Sequence, residues 1–272
     1  EIGSGLVGSE MCIRDRHYEV TGVAAATCIA NITGFLAILY FYAKHKPLPL
    51  TAVPLRKIFS GPTCRQMLQC GSHLTVRMFC MIIMVNSFMH QSSAFGGELL
   101  AANSILFQIQ FIMGDILTGL SQAGAIYSGI AFGEHDRSML NDTLRISFIW
   151  AIGFGLLQTV GYYCCRHAIL GCFTNLHSVI ATAQQYDLFI AFFPLISALG
   201  IVYYGVFNGA LYTRPICISM LLTAGCYLTA YFTLIPLYGN IGLWLAFLIF
   251  YIARSSFLLF FVPKLQQRVA LV

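Results

Sequence analysis

The sequence predicts an all-α integral membrane protein, a helical bundle of about seven transmembrane helices. Three observations predict it. Hydrophobic residues make up 58% of the 272-residue chain and charged residues 9%, with a mean hydropathy of +0.77. A soluble domain carries roughly 25% charged residues, so a water-facing surface cannot be built from this composition and lipid must be the main solvent. Apolar stretches of about 20 residues, the length a spanning helix needs, recur along the whole chain. Finally, Lys and Arg cluster in alternate joints between them, as the positive-inside rule requires.

The stretches are, in order, Val20–Ala43, Gln69–Ser92, Leu99–Phe132, Leu144–Cys165, Val179–Ala210, Pro215–Leu237 and Ile241–Val262. Gly96-Gly97 separates the second from the third. Pro215 stands at a first helical position, where its missing N–H costs nothing. Pro236 and Gly239-Asn240 close the sixth helix and open the seventh, and Pro194 is expected to kink the fifth. Before the first helix, Glu1–Arg16 has no apolar face and no signal-peptide layout. Its run VGSEMCIRDR reads as translated adapter sequence, so residues 1–16 are expected to be a non-native leader on an incomplete gene product.

Lys44, Lys46, Arg56, Lys57 and Arg65 lie in the first joint, Arg137 and Arg145 two helices later, Arg214 two further on, and Lys264 and Arg268 in the tail. The alternate joints hold only Arg166. This asymmetry places the 44–67 joint and the C-terminus in the cytoplasm of a bacterial inner membrane. The joint also holds Pro47, Pro49, Pro54 and Pro62, as a connector between two bundles would. The first helix opens Gly22-Val23-x-x-Ala26-x-x-Ile29 and the last Gly242-Leu243-x-x-Ala246-x-x-Ile249. Transporters are often built of two related repeats. Read that way, residues 17–43 are the last helix of one repeat, 68–265 a complete six-helix repeat, and 266–272 a cytoplasmic tail.

The third helix carries the chemistry. Its 34-residue run would be roughly 50 Å long against a hydrocarbon core of about 30 Å. Ser104, Gln108, Asp115, Thr118, Gln122 and Gly129 fall at alternating steps of four and three, on one face, with Phe111 and Ala125 filling the pattern. Such a stripe is costly in lipid and is expected to line a protein interior or a watery cavity. Asp115, at mid-membrane depth, either binds a coupling ion or pairs structurally with Arg77 of the second helix. Tyr204 and Asn208 are expected at the same cavity, with Asn also suited to joining helices. Asp187 is expected to be solvated or interfacial, and Arg254 to snorkel to the headgroups.

Other chemistries have no support. The ten cysteines show no paired C-x-x-C spacing and read as small packing residues. His73 and His90 lack acidic neighbours at ligand spacing, so no metal site is expected. No phosphate-cradling Gly loop points to ATP, and no cofactor is implied beyond a coupling proton or sodium. The net charge of +5 is spread over loops, so nucleic acid is not an expected partner. Lipid and a small-molecule substrate are.

Several segments together resemble the multidrug and toxic compound extrusion (MATE) family, DinF-like branch. They are Leu99-Leu100-Ala101-Ala102-Asn103-Ser104-Ile105-Leu106, Tyr127-Ser128-Gly129-Ile130-Ala131-Phe132-Gly133, Phe207-Asn208-Gly209-Ala210 after Pro194, and Gly239-Asn240-Ile241-Gly242-Leu243-Trp244-Leu245-Ala246. Arg77 matches a basic residue near the start of that family's seventh helix. The resemblance covers residues 20–265 as the sixth to twelfth of twelve helices. It implies two six-helix lobes around a central cavity, and efflux of organic, often cationic, compounds by antiport with protons or sodium. Asp115, Arg77, Gln108, Thr118, Gln122, Asn103, Tyr204 and Asn208 are the expected substrate- and ion-binding residues, and the N-terminal lobe is the missing partner. DinF-like relatives often carry acids where Thr118, Ala125 and Tyr204 stand here, and Asp115, one turn from Thr118, is the available substitute. Two other readings fit the same sequence less fully. One is a lipid-linked-sugar flippase of the same superfamily, which would line its cavity with several basic residues. The other is a seven-helix receptor or sensor. No enzyme is expected, because no His, Asp or Cys cluster shares one depth.

Overall fold

The computed structural model describes residues 19–45 and 62–271. The leader 1–16 and the connector prolines Pro47, Pro49 and Pro54, with Lys46, Arg56 and Lys57, lie outside the described residues. Those residues form α1 (Glu19–His45), α2 (Pro62–Ala94), α3 (Gly97–Gly133), α4 (Arg137–Phe173), α5 (His177–Gln184), α6 (Asp187–Gly209), α7 (Arg214–Leu259) and α8 (Val262–Leu271). The chain divides into two compact units, residues 1–65 and 66–272.

In the first unit, the apolar side chains of α1, from Ile29 through Phe41, are exposed along its length. A helix apolar on all sides is suited to lipid or to a helical neighbour. Thr33 turns its hydroxyl back onto the Ile29 carbonyl at 2.8 Å, which hides the polar group within the helix.

The second unit is built around α3 and α6. Their backbones touch because Gly205 and Gly209, one turn apart, leave room for the Ser121 and Ala125 carbonyls of α3, where any Cβ would collide. Small residues at this spacing are how membrane helices gain close packing when no hydrophobic effect drives them together. Above this contact Phe88, Phe107, Trp244 and Phe247 form an aromatic core with ring centroids 4.9–5.8 Å apart. These offset and edge-on geometries are the favoured ones. A second cluster joins Leu144, Val206, Phe207, Ile216, Leu258 and Leu265 at the opposite end.

Six helical stretches among the described residues are long and apolar enough to cross a membrane, the last running Arg214–Arg268. That stretch holds two passes. The 46 residues of α7 would extend about 69 Å at 1.5 Å per residue, more than twice the core thickness. Gly239 breaks the helix with φ 55° and ψ −128°, a conformation that glycine adopts without steric cost. Tyr227 and Phe250, on either side of it, bring their rings to 5.9 Å, so the chain folds back there and the seven expected spans stand.

One expectation about the helices is corrected. The Val179–Ala210 stretch is not one helix. Gln185 and Tyr186 close 3₁₀-type bonds to Thr182 and Ala183, which ends α5 and starts α6 at Asp187. The apolar pattern runs on through the turn because α5 also packs, through Val179 and Ala183, so periodicity alone gave no sign of it. α6 holds Pro194 in its interior and runs on to Gly209. Past the last span the chain remains helical: α8 buries Leu265, bonds Gln266 to Asn141 at 3.0 Å and lays Arg268 over Tyr212 at 4.9 Å. Between α3 and α4, His135 takes a positive φ of 56°, and Asp136 donates its N–H to the Ala131 carbonyl at 2.9 Å. That is a Schellman closure. Asp136 then accepts from the Met139 N–H at 3.0 Å and caps α4.

Candidate functional site

The expected site residues separate into three groups. Asn103 belongs with the core. It is fully buried and donates to Ser92 Oγ and Asn240 Oδ1, both at 2.7 Å, while its own carbonyl accepts from Trp244 Nε1 at 3.1 Å and Asn240 Nδ2 at 3.3 Å. Both amide donors and both acceptor positions are taken. Asn103 therefore ties α2, α3 and the start of the last span together and has nothing left for a ligand, a correction to its expected role.

The stripe of α3 forms the second group. Asp115, Thr118 and Gln122 are exposed, and Ser104 and Gln108 half-buried. The buried residues of the same helix, including Leu106, Gln110, Met113, Leu117, Ser121, Gly124 and Ser128, lie on the opposite side when projected at 3.6 residues per turn. The stripe is thus turned away from the lobe's own core, which corrects the protein-interior alternative for this unit. Thr118 returns its hydroxyl to the Gly114 carbonyl at 2.9 Å. Asp115 makes no ion pair among the described residues; the single pair there is Arg166–Asp187.

Arg77 does not reach Asp115. Its guanidinium carbon lies over the Tyr204 ring, 4.0 Å from the centroid, and its Nη1 is 3.6 Å from Met78 Sδ. Cation–π stacking of this kind suits a planar guanidinium. Arg254 completes this third group. Far from snorkelling to the headgroups, it is 7% exposed and 6.0 Å from the Tyr251 ring. Gln110 donates to Tyr251 Oη at 3.2 Å, and its Oε1 has no partner among the described residues. So Arg77 of α2 stacks on Tyr204 of α6, while Gln110 of α3 and Arg254 of the last span both meet Tyr251. Sequence reading missed Arg254, although the signal was present: Trp244, Phe247, Tyr251, Arg254 and Leu258 fall at steps of three and four, and all are buried. Asn208, half-buried one turn beyond Tyr204, makes no side-chain hydrogen bond among the described residues.

At the other end of the lobe Asp187 is 2% exposed and pairs with Arg166 at 3.5 Å, which corrects the expectation of a solvated acid. Gln158, Thr159 and Tyr162 of α4 and Ser197 of α6 bury polar atoms without partners nearby. Buried groups of this kind call for ordered water. A groove of about 760 Å³ opens between α3, α4 and α6, walled by Leu120, Tyr127, Ile146, Trp150 and Phe154. None of the expected site residues lines it.

The chain is thus a polytopic helical membrane protein with polar and charged side chains inside its candidate spans, partly buried and partly on an exposed face. The MatE family model matches residues 74–233, more than half the chain, and the chain belongs to that family. It is 25% identical over 239 residues to the DNA damage-inducible protein F of Escherichia coli (strain K12), covering 88% of this chain and 52% of that protein. Among solved structures it is similar to the Vibrio cholerae MATE transporter VcmN in the bent form, with a TM-score of 0.78 and 15% identity over 95% of this chain and 59% of the other. A MOP superfamily transporter from Pyrococcus furiosus Vc1 (DSM3638), reported with a binding pocket of reverse polarity, matches with a TM-score of 0.61 and 17% identity over 72% and 44%. The chain thus spans about half the length of these relatives.

Proposed function

We propose that this chain is part of a secondary active exporter, an antiporter that carries organic, cationic or drug-like compounds out across the bacterial inner membrane in exchange for protons or sodium. The observation that carries this reading is the polar face of α3, set opposite that helix's packed side. A charge left at the bilayer centre costs about 2.5–3.5 kcal/mol even on the lenient insertion scale. Asp115 is therefore read as facing a watery cavity, completed by the N-terminal lobe that the relatives' greater length supplies. There it holds the coupling ion, while Gln108, Thr118 and Gln122 offer hydrogen bonds to cargo. The C-terminus and the 44–67 connector are cytoplasmic on the Lys/Arg asymmetry.

The test is Asp115→Asn in the protein carrying both lobes, reconstituted in proteoliposomes under an imposed proton or sodium gradient. Gradient-driven efflux of a cationic dye should fall at least tenfold with the protein still folded. Unchanged efflux with unchanged ion dependence rejects Asp115 as the coupling group.

A further inference from the structure

The groove between α3, α4 and α6 holds none of the residues assigned to coupling or cargo. Its volume is about 760 Å³. One wall is a face of α4, where Asp142, Ile146, Trp150 and Phe154 follow at steps of four. Trp150 is 54% exposed, with the Phe154 ring 5.6 Å from its own. Across from them α3 supplies Leu120, Ala123 and Tyr127. At 3.6 residues per turn these project roughly 130° round α3 from the polar stripe, so the groove opens on another side of the lobe from Asp115. Its chemistry is graded along its length. The apolar stretch of α4 begins at Leu144, which puts Asp142 at headgroup level. Phe154, ten residues beyond Leu144, lies about 15 Å deep, half of a hydrocarbon core of about 30 Å. The groove thus runs through one leaflet, from the interface to mid-membrane.

Two acids stand at the interfacial end. Asp136 is engaged as the cap of α4, accepting the Met139 N–H at 3.0 Å. Asp142 is exposed and has no hydrogen bond or ion pair among the described residues, the single pair there being Arg166–Asp187. Deeper in, Ser147 lines the groove at 7% exposure, and its hydroxyl has no partner among the described residues. Thr143 on the same wall does have one, the Met139 carbonyl at 2.8 Å. The Ser147 oxygen faces Gly124 of α3, where an added Cβ would stand 3.3 Å away, so glycine keeps that polar atom uncovered. A buried hydroxyl requires a partner.

We propose that this groove binds phosphatidylethanolamine from the leaflet on the side of the α3–α4 joint. The lipid ammonium donates to the Asp142 carboxylate, in the charge-assisted form that gives the stronger hydrogen bonds. Ser147, about 7.5 Å deeper at 1.5 Å per residue, donates to an ester carbonyl. An acyl chain lies along Ile146, Trp150 and Phe154. Arg145 is exposed, stands three residues from Asp142 and makes no ion pair among the described residues, so it is free to take the phosphate. Charge complementarity selects this lipid. A choline head has no N–H to give the carboxylate, and phosphatidylglycerol brings only negative charge to it. The inference needs a membrane-spanning chain but not the antiport reading.

The purified chain is reconstituted in phosphatidylcholine vesicles. Brominated phosphatidylethanolamine, phosphatidylcholine or phosphatidylglycerol then replaces part of the lipid while tryptophan fluorescence is read. Of the two tryptophans, Trp244 is fully buried and Trp150 lines the groove, so bromine in the groove quenches Trp150. The ethanolamine lipid should bind about threefold or more tightly than the choline lipid. Asp142→Asn should abolish that preference, and Ser147→Ala should weaken quenching by the ethanolamine lipid about twofold. Asp142 is exposed, so its variant keeps the fold. Trp150→Phe should remove the dependence on headgroup. Equal quenching by the ethanolamine and choline lipids in the parent overturns the proposal, as does a preference for phosphatidylglycerol. So does failure of any of the three variants to have its effect. Quenching that falls with protein density, whatever the headgroup, identifies a second copy of the chain in the groove and also overturns it. Because the measurement involves neither gradient nor transport, its failure is separate from failure of the Asp115 antiport test.

Discussion

Replacing Arg166 by Met should destabilise the lobe more than replacing Asp187 by Asn, although both break the same pair. Asp187 is 2% exposed while the Arg166 side chain is 29% exposed, and their atoms approach to 3.5 Å. At that distance the attraction is about 5 kcal/mol for an effective dielectric of about 20, set against desolvation of several kcal/mol per ion. Arg166→Met leaves a carboxylate in a site where neither of its oxygens has a hydrogen-bond partner. Removing one member of a buried pair costs about 3–5 kcal/mol; the partial exposure of Arg166 brings the expectation to about 3 kcal/mol. Asp187→Asn removes the charge itself, and Arg166 can turn to water, so about 1 kcal/mol is expected. The double variant should lie near the Asn single, which gives a coupling of about 3 kcal/mol. Reversible SDS unfolding followed by circular dichroism measures all three. If Arg166→Met costs less than about 1 kcal/mol, or less than Asp187→Asn, the pair does not shield a buried acid and the reasoning is wrong.

Two further outcomes follow from the packing. Gly205→Ala puts a methyl on the Ser121 carbonyl, where backbone must move, so a loss at or above the upper end of the usual overpacking cost of about 1–3 kcal/mol is expected. Gly119→Ala, with open space around it, should be neutral or stabilising in the same SDS titration, and equal effects of the two would discount the α3–α6 contact. Asn103→Leu orphans the Trp244 N–H and breaks the bonds to Ser92 and Asn240, with an expected loss of about 3 kcal/mol at roughly 1–3 per orphaned group. A neutral result on SDS unfolding would return Asn103 to the pool of ligand-binding residues.

The spans were legible because membrane helices announce themselves by length and apolarity, and their ends by Gly96-Gly97, Pro215 and Gly239-Asn240. The break at Gln185–Tyr186 was not legible. It depends on where Asp187 meets Arg166, a contact between helices about 20 residues apart in sequence that no local pattern encodes. The polar stripe of α3 was legible as a face, and its direction was not. A helix with Ser, Gln and Asp on one side and Leu, Ser and Gly on the other does not reveal which side its neighbours take. In water the apolar side would turn inward, but in lipid the small residues do. Ser121, Gly124 and Ser128 pack while Phe111, Ile112 and Ile116 are exposed.

The same inversion explains why depth alone misassigned individual polar residues. Asp187 and Arg254 sit among apolar neighbours in sequence and were weighed by their distance from a helix end, whereas Asn103 and Arg77 were taken from the family resemblance and from a possible pairing with Asp115. The deciding quantity is how many of its hydrogen-bonding positions the fold fills. Asn103 has all of its own filled and acts as a joint. Asp187 has an ion partner but neither oxygen hydrogen-bonded, which marks a structural pair. Arg254 is buried with an aromatic neighbour, and none of its nitrogens is among the buried atoms left without a partner. Asp115, exposed and unpaired, fits the same rule from the other side, on the face that this lobe leaves uncovered.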